Sequence, residues 1–209
     1  MTISTNMRKR LAVIWLALLA LTVGGLYWRM EWQYGLPTPI PAHYHAVERG
    51  ALIHLPGAAG ASLQQADKPL FLHFFNPDCP CSRFNMPQFR ALVQQYGDKV
   101  NFVIVVMSPK TFTAEQLQKK FNLPHAIPVL NDSTLAAACG VYSTPQAVLI
   151  NRDSRLYFRG NYNRNRYCSD EKTGFARQAL DGIMTGNYSL TFSPLALKAY
   201  GCQLPTCNQ

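Results

Sequence analysis

Phe74-Phe75-Asn76-Pro77-Asp78-Cys79-Pro80-Cys81-Ser82 sets two cysteines one residue apart, between two contrasting segments. Before them, Pro69 to Phe75 is an apolar run that reads as a buried strand. After them, Ser82 to Tyr96 has apolar residues at 84, 89, 92, 93 and 96, a helical rhythm. Pro87 interrupts that rhythm and predicts a kink or a late start. A thiol at a strand-to-helix junction lies near unpaired backbone N–H groups and the positive end of the helix dipole, which favour thiolate over thiol. A second thiol one residue away can close a small disulfide or resolve a mixed one. Asp78 opposes this, because a carboxylate beside a thiol raises its pKa. The arrangement suits thiol–disulfide chemistry.

Outward from this stretch, strands and helices alternate. Ala51 to Leu55 reads as a short first strand. Val100 to Met107 is almost continuously apolar and β-branched, as a central strand covered on both faces should be. Ser108 or Thr113 can cap a helix running to Phe121. Ile127 to Leu130 is a third strand of this kind, and Ser133 to Cys139 a short helix stopped by Gly140. Gln146 to Ile150 and Leu156 to Arg159 are strands joined by the turn Asn151-Arg152-Asp153-Ser154. Thr173 to Met184 is a last helix, ending near Gly186. The order β-α-β-α-β-α-β-β-α implies an α/β domain with a mixed sheet and helices on both faces.

The N-terminus has a different character. Residues 11–28 carry no charge and as a helix would span roughly 27 Å, close to the hydrocarbon thickness of a bilayer. Arg8, Lys9 and Arg10 precede them and only Arg29 follows, which predicts residues 1–10 in the cytoplasm and the rest exported. Apolar residues continue past Val23-Gly24-Gly25, so an uncleaved signal-anchor is expected over a cleaved signal peptide. Residues 29–45 are rich in Pro and aromatics and read as a stiff linker. Residues 46–209 are left as one domain.

The chain has 209 residues and a formal charge of +9. Taking away Arg8, Lys9, Arg10, Arg29 and Glu31 leaves 16 basic and 10 acidic residues, or +6. The densest basic stretch is Arg152, Arg155, Arg159, Arg164 and Arg166, which reads as a solvated face. An exported domain argues against nucleic acid as a partner. It also places the six cysteines, at 79, 81, 139, 168, 202 and 207, where disulfides persist. Six cysteines allow 15 full pairings, and sequence does not choose among them. Cys139, Cys168, Cys202 and Cys207 are candidates for structural disulfides, with Cys202 and Cys207 stapling the tail to each other or to Cys168. For Cys139, a buried core thiol and a resolving thiol stay open as well.

Three stretches resemble the thioredoxin-like superfamily in its membrane-tethered bacterial branch. Phe71-Leu-His-Phe-Phe-Asn-Pro-Asp-Cys79-Pro-Cys81 is similar to the strand and active-site turn that usually ends Cys-x-x-Cys. Gly140-Val-Tyr-Ser-Thr144-Pro145 is similar to the loop whose proline is cis and faces the active-site thiols. Leu156-Tyr-Phe-Arg-Gly160 resembles the second hairpin strand. The Cys-x-Cys spacing is one residue short of the usual motif, and Asp78 stands where Trp is usual.

The resemblance implies a thioredoxin-like mixed sheet behind one transmembrane helix. It implies Cys79 as attacking and Cys81 as resolving thiol, with Pro145, Thr144 and Pro80 positioning the substrate. Partners would be exported proteins with thiols or disulfides, met at the periplasmic face of a bacterial inner membrane, and no cofactor is needed. Two other classes stay open. One is a copper-binding and delivery module, in which Cys-x-Cys, Met86 and a histidine such as His73 supply soft ligands. The other is a non-catalytic scaffold of the same fold. No metal ligand set is assigned.

Overall fold

Leu70–Phe75 forms strand β1, and all six of its residues are buried. The computed structural model describes residues 4–32, 36–64, 67–124, 127–164 and 174–204. Two compact units divide at Leu36/Pro37.

The first unit is helix α1, Thr5–Tyr27, with Ser4 as N-cap and a π-helical turn at Trp28–Trp32. The helical stretch Thr5–Met30 is long and apolar enough to cross a membrane. Its large apolar side chains are exposed along the whole of its length, among them Leu11, Ile14, Leu18 and Leu21. Such a helix needs an apolar surrounding that water does not provide.

In the second unit the elements are α2 (Gly57–Gln64), β1, α3 (Pro80–Tyr96), β2 (Asn101–Val106), α4 (Ala114–Phe121), β3 (Val129–Leu130) and α5 (Thr134–Cys139). They continue with β4 (Ser143–Thr144), β5 (Gln146–Ile150), β6 (Leu156–Gly160), α6 (Phe175–Met184), α7 (Pro194–Leu197) and β7 (Cys202–Gln203). Five strands form one sheet in the order β3-β2-β1-β5-β6. β1 runs parallel to β2 and antiparallel to β5, β2 is parallel to β3, and β5 is antiparallel to β6. This is the mixed sheet expected from the sequence.

The period of two along each strand divides the core. Phe71 and Phe75 of β1, with Phe102, Ile104 and Val106 of β2, pack under α3 and α6 through Phe89, Leu92, Phe175, Ala179 and Leu180. Leu70, Leu72 and Phe74, with Val103 and Val105, face Leu135, Ala136 and Cys139 of α5 and also Ile53 and Leu55. Both faces of β1, and of β2 beyond half-buried Asn101, are covered, which explains their largely apolar sequence.

Several local expectations change. Ala51–Leu55 is not a strand; it contributes one bridge, Leu52 to Arg155, and anchors Ile53 and Leu55 in the second core. Helix α2 has no periodic signal in its small residues. Helix α3 begins at Pro80 rather than late, because a proline in the first turn lacks only an N–H that would be unpaired there. Pro87 stays inside it and is exposed. Thr113, not Ser108, caps α4, in a capping box with Gln116. The third strand shrinks to Val129–Leu130, and Gly140 ends α5 with φ +66° as expected.

Residues 37–45, read as linker, are held against this unit. Thr38 N–H donates to the Ala199 carbonyl, its hydroxyl donates to the Gly201 carbonyl, and the Tyr44 hydroxyl donates to Gly140. In the basic stretch Arg152, Arg155 and Arg164 are exposed and Arg159 is half-buried, with Arg155 and Arg159 donating to the carbonyls of Gly50 and Val47; Arg166 lies outside the described residues.

His73 is the titratable group that this core encloses on β1. Its ring stacks on Phe89 (4.3 Å between centroids) and Phe75 (4.9 Å), and Nδ1 lies 2.6 Å from the Tyr162 hydroxyl. Burial pushes its pKa down to about 3. The folded chain therefore keeps His73 neutral, while the unfolded chain takes up a proton below about 6.5. Stability should fall as pH drops from about 6.5 toward about 3, by up to about 1.4 kcal/mol per pH unit from this group. Urea midpoints between pH 7 and 5 should show that slope, and the His73→Phe, Tyr162→Phe double variant should flatten it.

Candidate functional site

The turn after β1 is built from its own polar groups. Asn76 Oδ1 accepts from the Asp78 N–H at 3.0 Å, and the Asn76 carbonyl accepts from the Cys79 N–H at 3.1 Å. The Ser82 hydroxyl reaches back from α3 to accept the Asn76 N–H at 3.1 Å. This places Cys79 at the N-cap of α3 in extended conformation (φ −83°, ψ 129°), with Pro80 following in the first turn. The Cys79 side chain makes no capping hydrogen bond to the helix. Its sulfur thus stands at the positive end of a 17-residue helix.

The sheet brings the second motif to the same end. β5 runs antiparallel to β1 with Phe74 opposite Gln146. Pro145 immediately precedes Gln146 at this end of β5, the end at which β1 gives way to the turn to Cys79. The Thr144–Pro145 peptide bond is cis, as the resemblance implied. Thr144 is buried and Pro145 half-buried. Ser143 Oγ and Gln146 Oε1, on either side of this pair, are buried and have no hydrogen-bond partner among the described residues.

Cys79 is only 1 % exposed, so it is closed to solvent. Asp78 is not an uncompensated negative charge. Lys120 Nζ lies 3.1 Å from one carboxylate oxygen and Lys110 Nζ 3.3 Å from the other. These ammonium groups, the Lys120 hydrogen bond first, hold its pKa below the usual carboxylate range. Sequence reasoning missed both lysines and the Ser82 tie.

The remaining candidates scatter. The backbone of Cys81 lies in the first turn of α3, and its side chain is outside the described residues, as are Cys168 and Cys207. Cys139 is not half of a disulfide here; it is a reduced thiol in the second core, pushed up to about 12 by burial. Cys202 is half-buried on β7, where its backbone pairs with Thr144. Of the copper candidates, Met86 is buried and His73 Nδ1 is engaged by Tyr162. Among the described residues no three His, Cys, Asp or Glu side chains gather as a metal site.

A family model described as a domain of unknown function, DUF6436, matches residues 52–207. The chain belongs to that family. No curated protein matches it. A hypothetical protein from Sinorhizobium meliloti is similar in structure, with TM-score 0.61 and 19% identity over 79% of this chain and 98% of that one. An uncharacterized conserved protein from Geobacillus kaustophilus gives TM-score 0.55 and 22% identity over 69% and 80%. A secreted disulfide oxidoreductase of Mycobacterium tuberculosis gives TM-score 0.45 and 24% identity over 58% and 86%. The domain is a mixed sheet flanked by helices, a fold it shares with the Sinorhizobium meliloti and Geobacillus kaustophilus proteins.

Removing the lysine clamp leaves Asp78 bare beside Cys79. The Lys110→Ala, Lys120→Ala double variant should alkylate at Cys79 about two- to fivefold more slowly at pH 7, the scale of exposed ion pairs. Peptide-level mass spectrometry reads the rate, and an unchanged value would show that the clamp does not act on the thiol.

Proposed function

We propose that the domain performs thiol–disulfide exchange through Cys79 and Cys81, on exported proteins, at the periplasmic face of a bacterial inner membrane to which α1 tethers it. The observation that carries this reading is the convergence of Cys79, at the start of α3, with Thr144-Pro145, at the start of β5, on one end of the sheet.

In the reductive direction the Cys79 thiolate attacks one sulfur of a client disulfide and expels the other as a thiolate. A mixed disulfide joins Cys79 to the client. The Cys81 thiolate then attacks the Cys79 sulfur and releases the second client thiol. The protein ends as a Cys79–Cys81 disulfide, and two electrons have passed to the client. The oxidative direction is the same sequence reversed. The α3 N-terminus stabilises the thiolate in both, and no organic cofactor takes part.

The burial of Cys79 favours a second reading, a scaffold that holds the fold without exchange. Trapping in cells separates the two. Cys81→Ser should accumulate mixed disulfides that vanish on reduction and are absent from a Cys79→Ser, Cys81→Ser control. A Cys81→Ser protein without adducts would favour the scaffold.

A further inference from the structure

The edge beside the cis peptide already carries a strand, and it belongs to the chain itself. β7 pairs antiparallel with β4, Thr144 opposite Cys202 and Ser143 opposite Gln203. Gly201 lies against the same edge with φ +145°. A Cβ there would fall 2.3 Å from the Thr144 carbonyl oxygen and 3.6 Å from Pro145 Cδ. No other residue allows so close an approach in that conformation.

The root of the segment is firm. Buried Asn161 donates to the carbonyls of Leu195 (2.9 Å) and Lys198 (2.6 Å) and accepts from the Tyr200 N–H (3.4 Å). Gly160 lets the Ala196 carbonyl approach so closely that a Cβ would meet it at 2.1 Å. Past Tyr200 the segment pairs with β4 over two residues, its Gly201 carbonyl accepts from the Thr38 hydroxyl at 3.1 Å, and Leu204 packs against the second core. A two-residue ladder can open while the rest of the domain stays folded.

We propose that Gly201–Gln203 is an intramolecular occupant of the client-binding edge, a strap that must leave Thr144 before an extended client chain can pair there and reach Cys79. This rests on the exchange reading above. An extended peptide binds an open strand edge by adding a strand, and the strap holds that edge in the same manner. It is also the right kind of segment, extended and carrying a cysteine, Cys202, opposite Thr144. Being tethered, it competes at an effective concentration on the order of millimolar. It accounts for a Cys79 that is closed to solvent although it begins a helix at the end of a turn. Clients of this protein are therefore unfolded or flexible segments able to enter as strands.

The test uses the full chain in detergent and compares wild type with Gly201→Val, which cannot lie on Thr144, and Thr38→Val, which loses only the hydroxyl tie. Two readouts are taken: iodoacetamide labelling of Cys79, and exchange with a synthetic linear peptide disulfide. Labelling of Cys79 should rise about tenfold in Gly201→Val and by less in Thr38→Val. KM for the peptide should fall in both, with kcat little changed. Wild-type labelling rates in both variants would overturn the strap; should Gly201→Val fail to fold, Thr38→Val decides. Faster labelling with no exchange in any protein would leave the strap standing and defeat the exchange reading.

Discussion

Burial of β1 on both faces is the constraint from which the rest follows. Leu70–Phe75 has no solvent side, so β2 must cover one edge, β5 the other, and helices both faces. Its register with β5 then fixes what meets at its end. The strand delivers Cys79 to one end of the sheet, and Thr144-Pro145 leads into the neighbouring antiparallel strand at that end. Position in this site is a by-product of core packing, and the reactive groups need supply little of the energy that holds them.

Electrostatics around the turn are local and largely cancelled. Asp78 brings a negative charge to the mouth of α3, where the helix dipole alone would favour an anion. Two ammonium groups on separate loops and helices neutralise it. The turn itself uses neutral groups, Asn76 and Ser82, for its internal bonds. Deeper in, His73 stays uncharged because burial in the aromatic stack excludes water, and Tyr162 is its hydrogen-bond partner among the described residues.

Long buried strands were legible in the sequence because burial on two faces leaves a largely apolar run, interrupted in β1 by His73 and preceded in β2 and β5 by Asn101 and Gln146. Gly140 was legible because it ends a helix with a backbone angle other residues resist. The cis proline followed from its surrounding motif. What could not be read depends on distance or brevity. Lys110 and Lys120 lie 32 and 42 residues from Asp78 in the chain, and nothing local marks them as its partners. β4 and β7 are two residues each, too short for any period to register. The closure of Cys79 to solvent is not encoded in the motif around the thiol. Ala51–Leu55 misled because its apolar residues serve the second core without a strand partner beyond one bridge.

Cys139 has a practical corollary. Its sulfur lies among Leu72, Val103 and Leu135 on the far face of the sheet, reduced and with its ionisation suppressed by burial. A reagent can meet it only when that half of the core comes apart. Modification of this one position thus works as an internal clock for global opening, running beside whatever happens at the turn. In a compartment that oxidises exposed sulfur, the same seclusion keeps a sixth of the molecule's cysteines out of circulation for as long as the domain stays folded.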